Sequence, residues 1–352
     1  MPIFQQGLVY PGPSNAYIPT VSSSGNLIVS FSRNPKDFKF NHYVQLQHTQ
    51  LPTGVYQYLS SENAFRVYGG GRMDYVWADG TSRPEGNGNL DNFLFKPFHT
   101  IRSSYDWNIG DITASTASWN IVEQAKQFAA NRAALFRAKE CIECVQNVSN
   151  YDASHIIDVS NTSGLGAWGS ATTSNMYIKK TLNTAQKLIQ RDTFGNVKPE
   201  DLVLVIGVEL AEQMSVSQEF VDFMKQSQYA APFIQGTQPQ WNLQFNIPNQ
   251  LYGLKVVVDD TIINNARKNS PANPTYAFNG NTAVLCARPG SLVGQFGGRS
   301  FSSFVTFIRS EMVSVYKYDE WNKRMKGAIE EDFCVHCVAP SSAVLLTNML
   351  VS

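Results

Sequence analysis

The stretch SWNIVEQAKQFAANRAALFRAKECIECVQNV, Ser118 to Val148, is the clearest element in this chain of 352 residues. It contains no Pro or Gly, and strong helix formers dominate it. Ile121, Ala125, Phe128, Leu135, Ala138, Ile142 and Val145 keep a helical spacing, which predicts one apolar stripe. Asn120 followed by Glu123 forms a variant of the capping box. About thirty helical residues span ~45 Å at 1.5 Å per residue. That exceeds the core of one compact domain, so the helix is expected to brace several parts of the molecule.

On its N-terminal side, residues 42–98 are rich in β-formers, among them Tyr43, Val44, Val55, Tyr56, Phe65, Val67, Tyr75 and Trp77. Turn residues punctuate them at Gly69-Gly70-Gly71, Ala78-Asp79-Gly80 and Arg83 to Gly88. The pattern predicts a long hairpin with an exposed tip. A projecting hairpin cannot bury both faces within one chain, so it wants a partner. Residues 1–41 carry Pro2, Pro11, Pro13, Pro19 and Pro35 without amphipathic periodicity, and read as an extended arm.

On the C-terminal side, a short strand at Ile156–Val159 and a Gly/Ser/Thr-rich loop lead to a helix at about Met176–Arg191. Leu202–Ile206 reads as a buried strand, with short helices near Glu209–Met214 and Ser217–Gln226. Residues 230–310 look like a separate α+β lobe with strands at Lys255–Val258, Thr282–Cys286 and Ser302–Ile308. Strands at Met312–Tyr318 and Gly327–Val338 flank a turn near Asp319–Asn322, and an apolar tail runs from Ser342 to Leu350.

Charged residues make up only 16% of the chain and aromatics 12%, a balance that suits surfaces covered by neighbours. Lys plus Arg and Asp plus Glu number 28 each. The zero net charge argues against tight nucleic-acid binding spread over the surface. No positive n-region precedes Arg33, and no apolar run is long enough to cross a bilayer. The expectation is a soluble chain, cytoplasmic when synthesised.

Four motifs invite a chemical reading. Cys141 with Cys144 and Cys334 with Cys337, the latter enclosing His336, are two C-x-x-C pairs. The pairs lie far apart in sequence, and residues 334 and 337 of a strand point to opposite faces. Core cysteines are expected rather than a metal site. Gly164-Leu165-Gly166-Ala167-Trp168-Gly169 matches a dinucleotide fingerprint, but no strand–helix junction brackets it, so a flexible loop is expected. Gly298-Arg299-Ser300 lacks the lysine of a phosphate loop. The acid pairs Asp259-Asp260 and Glu330-Glu331 point to opposite faces of a strand. No catalytic, cofactor-binding or metal-ligating residue is expected.

The order of arm, hairpin, brace helix, platform, inserted lobe and return strands resembles the major capsid proteins of tailed phages, a fold shared with encapsulins and the herpesvirus capsid floor. RMKGAIEEDFCVHCVAPSSAVLL (Arg324 to Leu346) is similar to the family's last platform strand, ending at Pro340, Ser341 and Ser342. PEDLVLVIG (Pro199 to Gly207) and LKVVVDDTI (Leu254 to Ile262) are similar to the segments around its inserted lobe. The resemblance implies an α+β capsid fold: arm 1–41, hairpin 42–98, platform 99–229 and 311–352 with the spine helix 118–148, and axial domain 230–310. It also implies self-assembly into pentamers and hexamers of an icosahedral head in the virion, formed in the host cytoplasm. The implied partners are a scaffolding protein, a portal, a decoration protein and packaged double-stranded DNA held without sequence specificity, with no membrane and no cofactor.

Arg72, Asp79, Arg83 and Glu85 are candidate inter-subunit contacts in the hairpin. No Lys stands between Lys39 and Lys96, so the hairpin-to-platform isopeptide of some relatives is not expected. An encapsulin-type shell is the nearest alternative. An α/β enzyme using the Gly164–Gly169 loop is a more distant one.

Overall fold

A computed structural model describes residues 38–58, 79–80, 94–117, 120–226, 241–242, 247–266, 270–293 and 300–351. A 3-10 turn (Lys39–His42) opens the described chain. Strands β1 (Val44–His48), β2 (Thr53–Tyr58), β3 (Leu94–His99) and β4 (Ile101–Gly110) come next. They are followed by helices α1 (Asp111–Thr116) and α2 (Ile121–Gln146). Then come β5 (Ile156–Asp158), α3 (Tyr177–Asp192), β6 (Leu202–Gly207), α4 (Val208–Val216) and α5 (Gln218–Gln226). The remaining main strands are β7 (Gln250–Leu251), β8 (Leu254–Asp259), β9 (Thr282–Ala287), β10 (Phe304–Asp319), β11 (Arg324–Cys337) and β12 (Ala343–Thr347).

Two sheets organise the molecule. One has six strands in the order β5-β12-β9-β6-β8-β7, and the other has four in the order β1-β10-β11-β4. The six-stranded sheet is covered on both faces, which is why all six residues of β6 are buried and its sequence is continuously apolar. Leu202, Leu204 and Ile206 face a core shared with α3 and α4, while Val203 and Val205 face the C-terminal half of α2.

The brace helix is present. Asn120 Oδ1 accepts the Glu123 N–H at 3.1 Å and caps its start. Ala134, Ala138, Cys141, Ile142 and Val145 pack on the six-stranded sheet. Val122, Ala129 and Ala133 pack with Trp107, Ile109, Met325 and Ile329 of the four-stranded sheet. One helix thus spans both cores. Its first half is turned from the expected stripe: Val122 and Ala129 face inward, and Phe128 is exposed. Small Ala side chains let the helix backbone approach the strands closely, where Phe128 would hold it off. Gly327 serves the same close packing, because a Cβ there would meet the Trp107 indole at 2.2 Å.

Three expectations are corrected. The strands expected at Ser302–Ile308 and Met312–Tyr318 are one strand, β10, with register shifts between Ile308 and Val313. The boundaries at 229/230 and 310/311 do not follow the sheets. Strands β8 and β9, from the supposed separate lobe, flank β6 in the middle of the six-stranded sheet, and the C-terminal β12 pairs with β9 there. Strand order depends on long-range pairing, which local pattern does not encode. Finally, the Gly164–Gly169 loop is packed down. Trp168 is fully buried, its backbone N–H donates to the Met349 carbonyl, and Gly166 lies against the Tyr177 ring.

Candidate assembly surface

The four-stranded sheet changes character along its length. In its first half, Val305 and Phe307 of β10 form a core with Phe98 at the hairpin base, and the Phe98 and Phe307 rings stack at 4.3 Å. Tyr56 and His336 lean on the same cluster. The β2–β3 ribbon is therefore held rigidly where it leaves the body. Val55 and Phe95 on that ribbon are exposed, as are Leu51 and Ile101 beside it. The tip lies largely outside the described residues, with Arg72, Arg83 and Glu85; Asp79 sits in an exposed turn.

Beyond the register shifts, β1 no longer pairs with β10, since its last partner is Ile308. Among the described residues, no strand pairs with the outer edge of 310–319. Alternation sends Ser314, Tyr316 and Tyr318 toward α2 and Val313 and Val315 to the opposite face, where both are exposed. Tyr316 lies beneath the Lys126 ammonium, 4.8 Å from the ring centre.

The far end of this sheet is a hydrogen-bonded turn that carries exposed apolar residues among charged ones. Asp319 Oδ2 accepts from Lys326 at 2.5 Å and from the Asn322 side chain at 2.8 Å, and these bonds hold its carboxyl well below the usual range. The turn so fixed displays Trp321 at 94% exposure. The Asp111 N–H bonds to the Lys323 carbonyl, and Tyr318 donates to Asp111, which brings α1 to the same end with Ile112 at 79% exposure. Single exposed apolar residues are ordinary, but two large ones held on one rigid end are a mark of a contact surface.

Charge pairs tie this sheet to the helix. Glu331 is buried, and its carboxylate accepts from Arg137 Nη2 at 2.5 Å. Burial raises its pKa and outweighs the pull of the guanidinium. Asp332, on the opposite face, is paired with Arg309 at 3.0 Å. The sequence did not single out Trp321, Ile112, Val313 or Val315. An aromatic inside a predicted turn was the available signal for Trp321; the others depend on where β1 stops.

The cysteines lie where core residues lie. Cys141, Cys286 and Cys337 are buried, with Cys144 packed beside them, and burial pushes the Cys141 and Cys337 thiols up to about 12. Cys334 faces the other way, against the hairpin base. Among the described residues no three His, Cys, Asp or Glu side chains converge in a metal-holding group. No described helix is long and apolar enough to cross a membrane.

No protein-family model and no curated protein matches the sequence. Solved structures do. A phage-related protein from Bordetella bronchiseptica superposes with a TM-score of 0.57 at 14% identity, over 94% of this chain and 97% of that one. The capsid structure of the cyanophage P-SCSP1u gives 0.58 at 10% identity, over 92% and 91%. The SrpI encapsulin of Synechococcus elongatus gives 0.51 at 8% identity, over 94% and 95%. The chain has the α+β fold of tailed-phage capsid proteins, which encapsulin shells share.

Proposed function

We propose that this chain is the major capsid protein of a tailed phage, a shell subunit whose activity is assembly with copies of itself into pentamers and hexamers of an icosahedral head. The observation that carries the reading is the half-covered sheet. Its open edge at 310–319, its rigid end with Trp321 and Ile112, and its projecting ribbon with Val55 and Phe95 lack covering partners among the described residues. Contacts between unlike patches on successive copies close into rings, and obligate interfaces of this kind bury upwards of about 2,000 Å². The four-stranded sheet with α2 takes the platform role, and the six-stranded sheet with α3 to α5 takes the axial role. Residues 1–37, most of the expected arm, lie outside the described residues.

On this reading the chain resides in the virion around double-stranded DNA, after assembly in the host cytoplasm. A scaffolding protein, a portal and a decoration protein are its expected partners. Negative-stain microscopy of the purified chain tests the proposal: closed shells or capsomer rings are expected, and a well-behaved monomer at high concentration overturns it. The encapsulin reading rests on the SrpI likeness and predicts shells that capture a cargo enzyme on co-expression with its genomic neighbours. Co-packaging with a portal and DNA favours the phage head.

A further inference from the structure

A cavity of about 320 Å³ opens at the free edge of the six-stranded sheet, away from the exposed ends described above. Lys39 and His42 line it from the opening 3-10 turn, Lys255 from β8, and Asn249 and Gln250 from the segment leading into β7. These described lining residues bring three basic side chains and two amides, and no carboxylate. Burial, then Lys255, then Lys39 hold the His42 imidazole below its ordinary range, so both lysines act on the ring.

The backbone beside the cavity is the turn between β7 and β8. Tyr252 and Gly253 adopt φ of 50° and 85°, the left-handed pair that makes the tight β7–β8 turn. From that turn, the Val256 N–H reaches the Asn249 carbonyl on the outer side of β8. Alternation sends the Val258 N–H to the same side, beyond the point where β7 has ended. Val258 lines the cavity. Cationic groups converging beside an edge amide form the chemistry of an oxyanion site.

We propose that this cavity binds a phosphate-type oxyanion, with Lys39 and Lys255 supplying charge, His42 and the two amides supplying further hydrogen bonds, and the β8 edge orienting it. The source is either free phosphate or a phosphate of a nucleic-acid backbone. A local site is compatible with a chain whose net charge is zero, because it depends on two lysines and an imidazole in one concavity rather than on a global excess. The proposal does not depend on shell formation.

The test uses the full chain before assembly. Inorganic phosphate is titrated and followed by calorimetry and by the shift of the His42 ring signals. A short DNA duplex is titrated separately by anisotropy at several salt concentrations. Saturable phosphate binding is expected, weakened about tenfold by Lys255→Gln or by Lys39→Gln, as for loss of a charged hydrogen bond, and retained in Lys255→Arg. Lys187→Gln, at an exposed position of α3, leaves it unchanged, and thermal melts confirm that every variant is folded. If the same variants weaken the duplex and reduce its salt slope by about one, the bound oxyanion is a backbone phosphate. If they weaken phosphate alone, it is a free anion. Absence of saturable phosphate binding, or binding indifferent to both lysine substitutions, overturns the proposal whether or not shells form.

Discussion

The two sheets are built from similar strands but are finished differently. The six-stranded sheet has helices α3 and α4 on one face and α2 on the other, and β6 is buried along its whole length. The four-stranded sheet has α2 on one face, while the hairpin base covers only the first half of the other. Past the register shifts in β10, that second face and the outer edge are uncovered among the described residues. The first sheet satisfies itself within one chain and fixes the fold. On the proposed capsid role, the second is completed by neighbouring copies. A single subunit therefore separates residues whose loss unfolds it from residues whose loss leaves it folded and alone.

The sharpest test of that division is the seam where α2 meets the four-stranded sheet. Arg137→Ala leaves Glu331 buried without its cation, and a loss of about 3–5 kcal/mol is expected in urea unfolding. Leu204→Ala opens a cavity in the sheet covered on both faces and is expected to cost about 2–5 kcal/mol. A cost near zero for either substitution would break the comparison. Asn120→Ala removes the cap at the start of α2 and is expected to cost about 1 kcal/mol.

Acid provides a gentler probe of the closed side. Asp192 accepts from Arg191 and from buried His155, whose other ring nitrogen faces the Ala343 carbonyl at 2.8 Å. The Arg191 hydrogen bond leads in lowering the Asp192 pKa. A carboxylate lowered in the folded state contributes stability that is present above the ordinary Asp value, about 3.9, and is lost as pH falls through the folded value. Asp192→Asn is expected to flatten that acid limb of the stability curve; an unchanged limb would exclude the group.

Trp321→Ala marks the other extreme. Its effect on subunit stability is expected to stay within about 0.5 kcal/mol, while shells by microscopy should be lost or sharply reduced. Unchanged assembly would remove the rigid end from the contact surface.

Much of this was legible locally. Spacing, helix formers and the Asn120 cap specified α2, the unbroken apolar run specified β6 as a buried strand, and the valine-rich Lys255–Val258 specified β8, while β12 reads only as an apolar tail. The phase of the first half of α2 was not legible, because it follows from how closely Ala129 and Ala133 approach the sheet. The cysteines were read as core residues from strand alternation, and Cys141, Cys286 and Cys337 are buried in it.

By itself, the sequence determined the helices α2 and α3 and the strands β6, β8 and β9, because periodicity and turn chemistry act over a few residues. Only the tertiary structure decided that β8, β9 and β12 join β6 in one sheet, that β1 stops at Ile308, and that Lys39, His42 and Lys255 meet. Those outcomes depend on pairing between residues up to two hundred positions or more apart, where burial and backbone hydrogen bonding choose among strands that look alike in sequence.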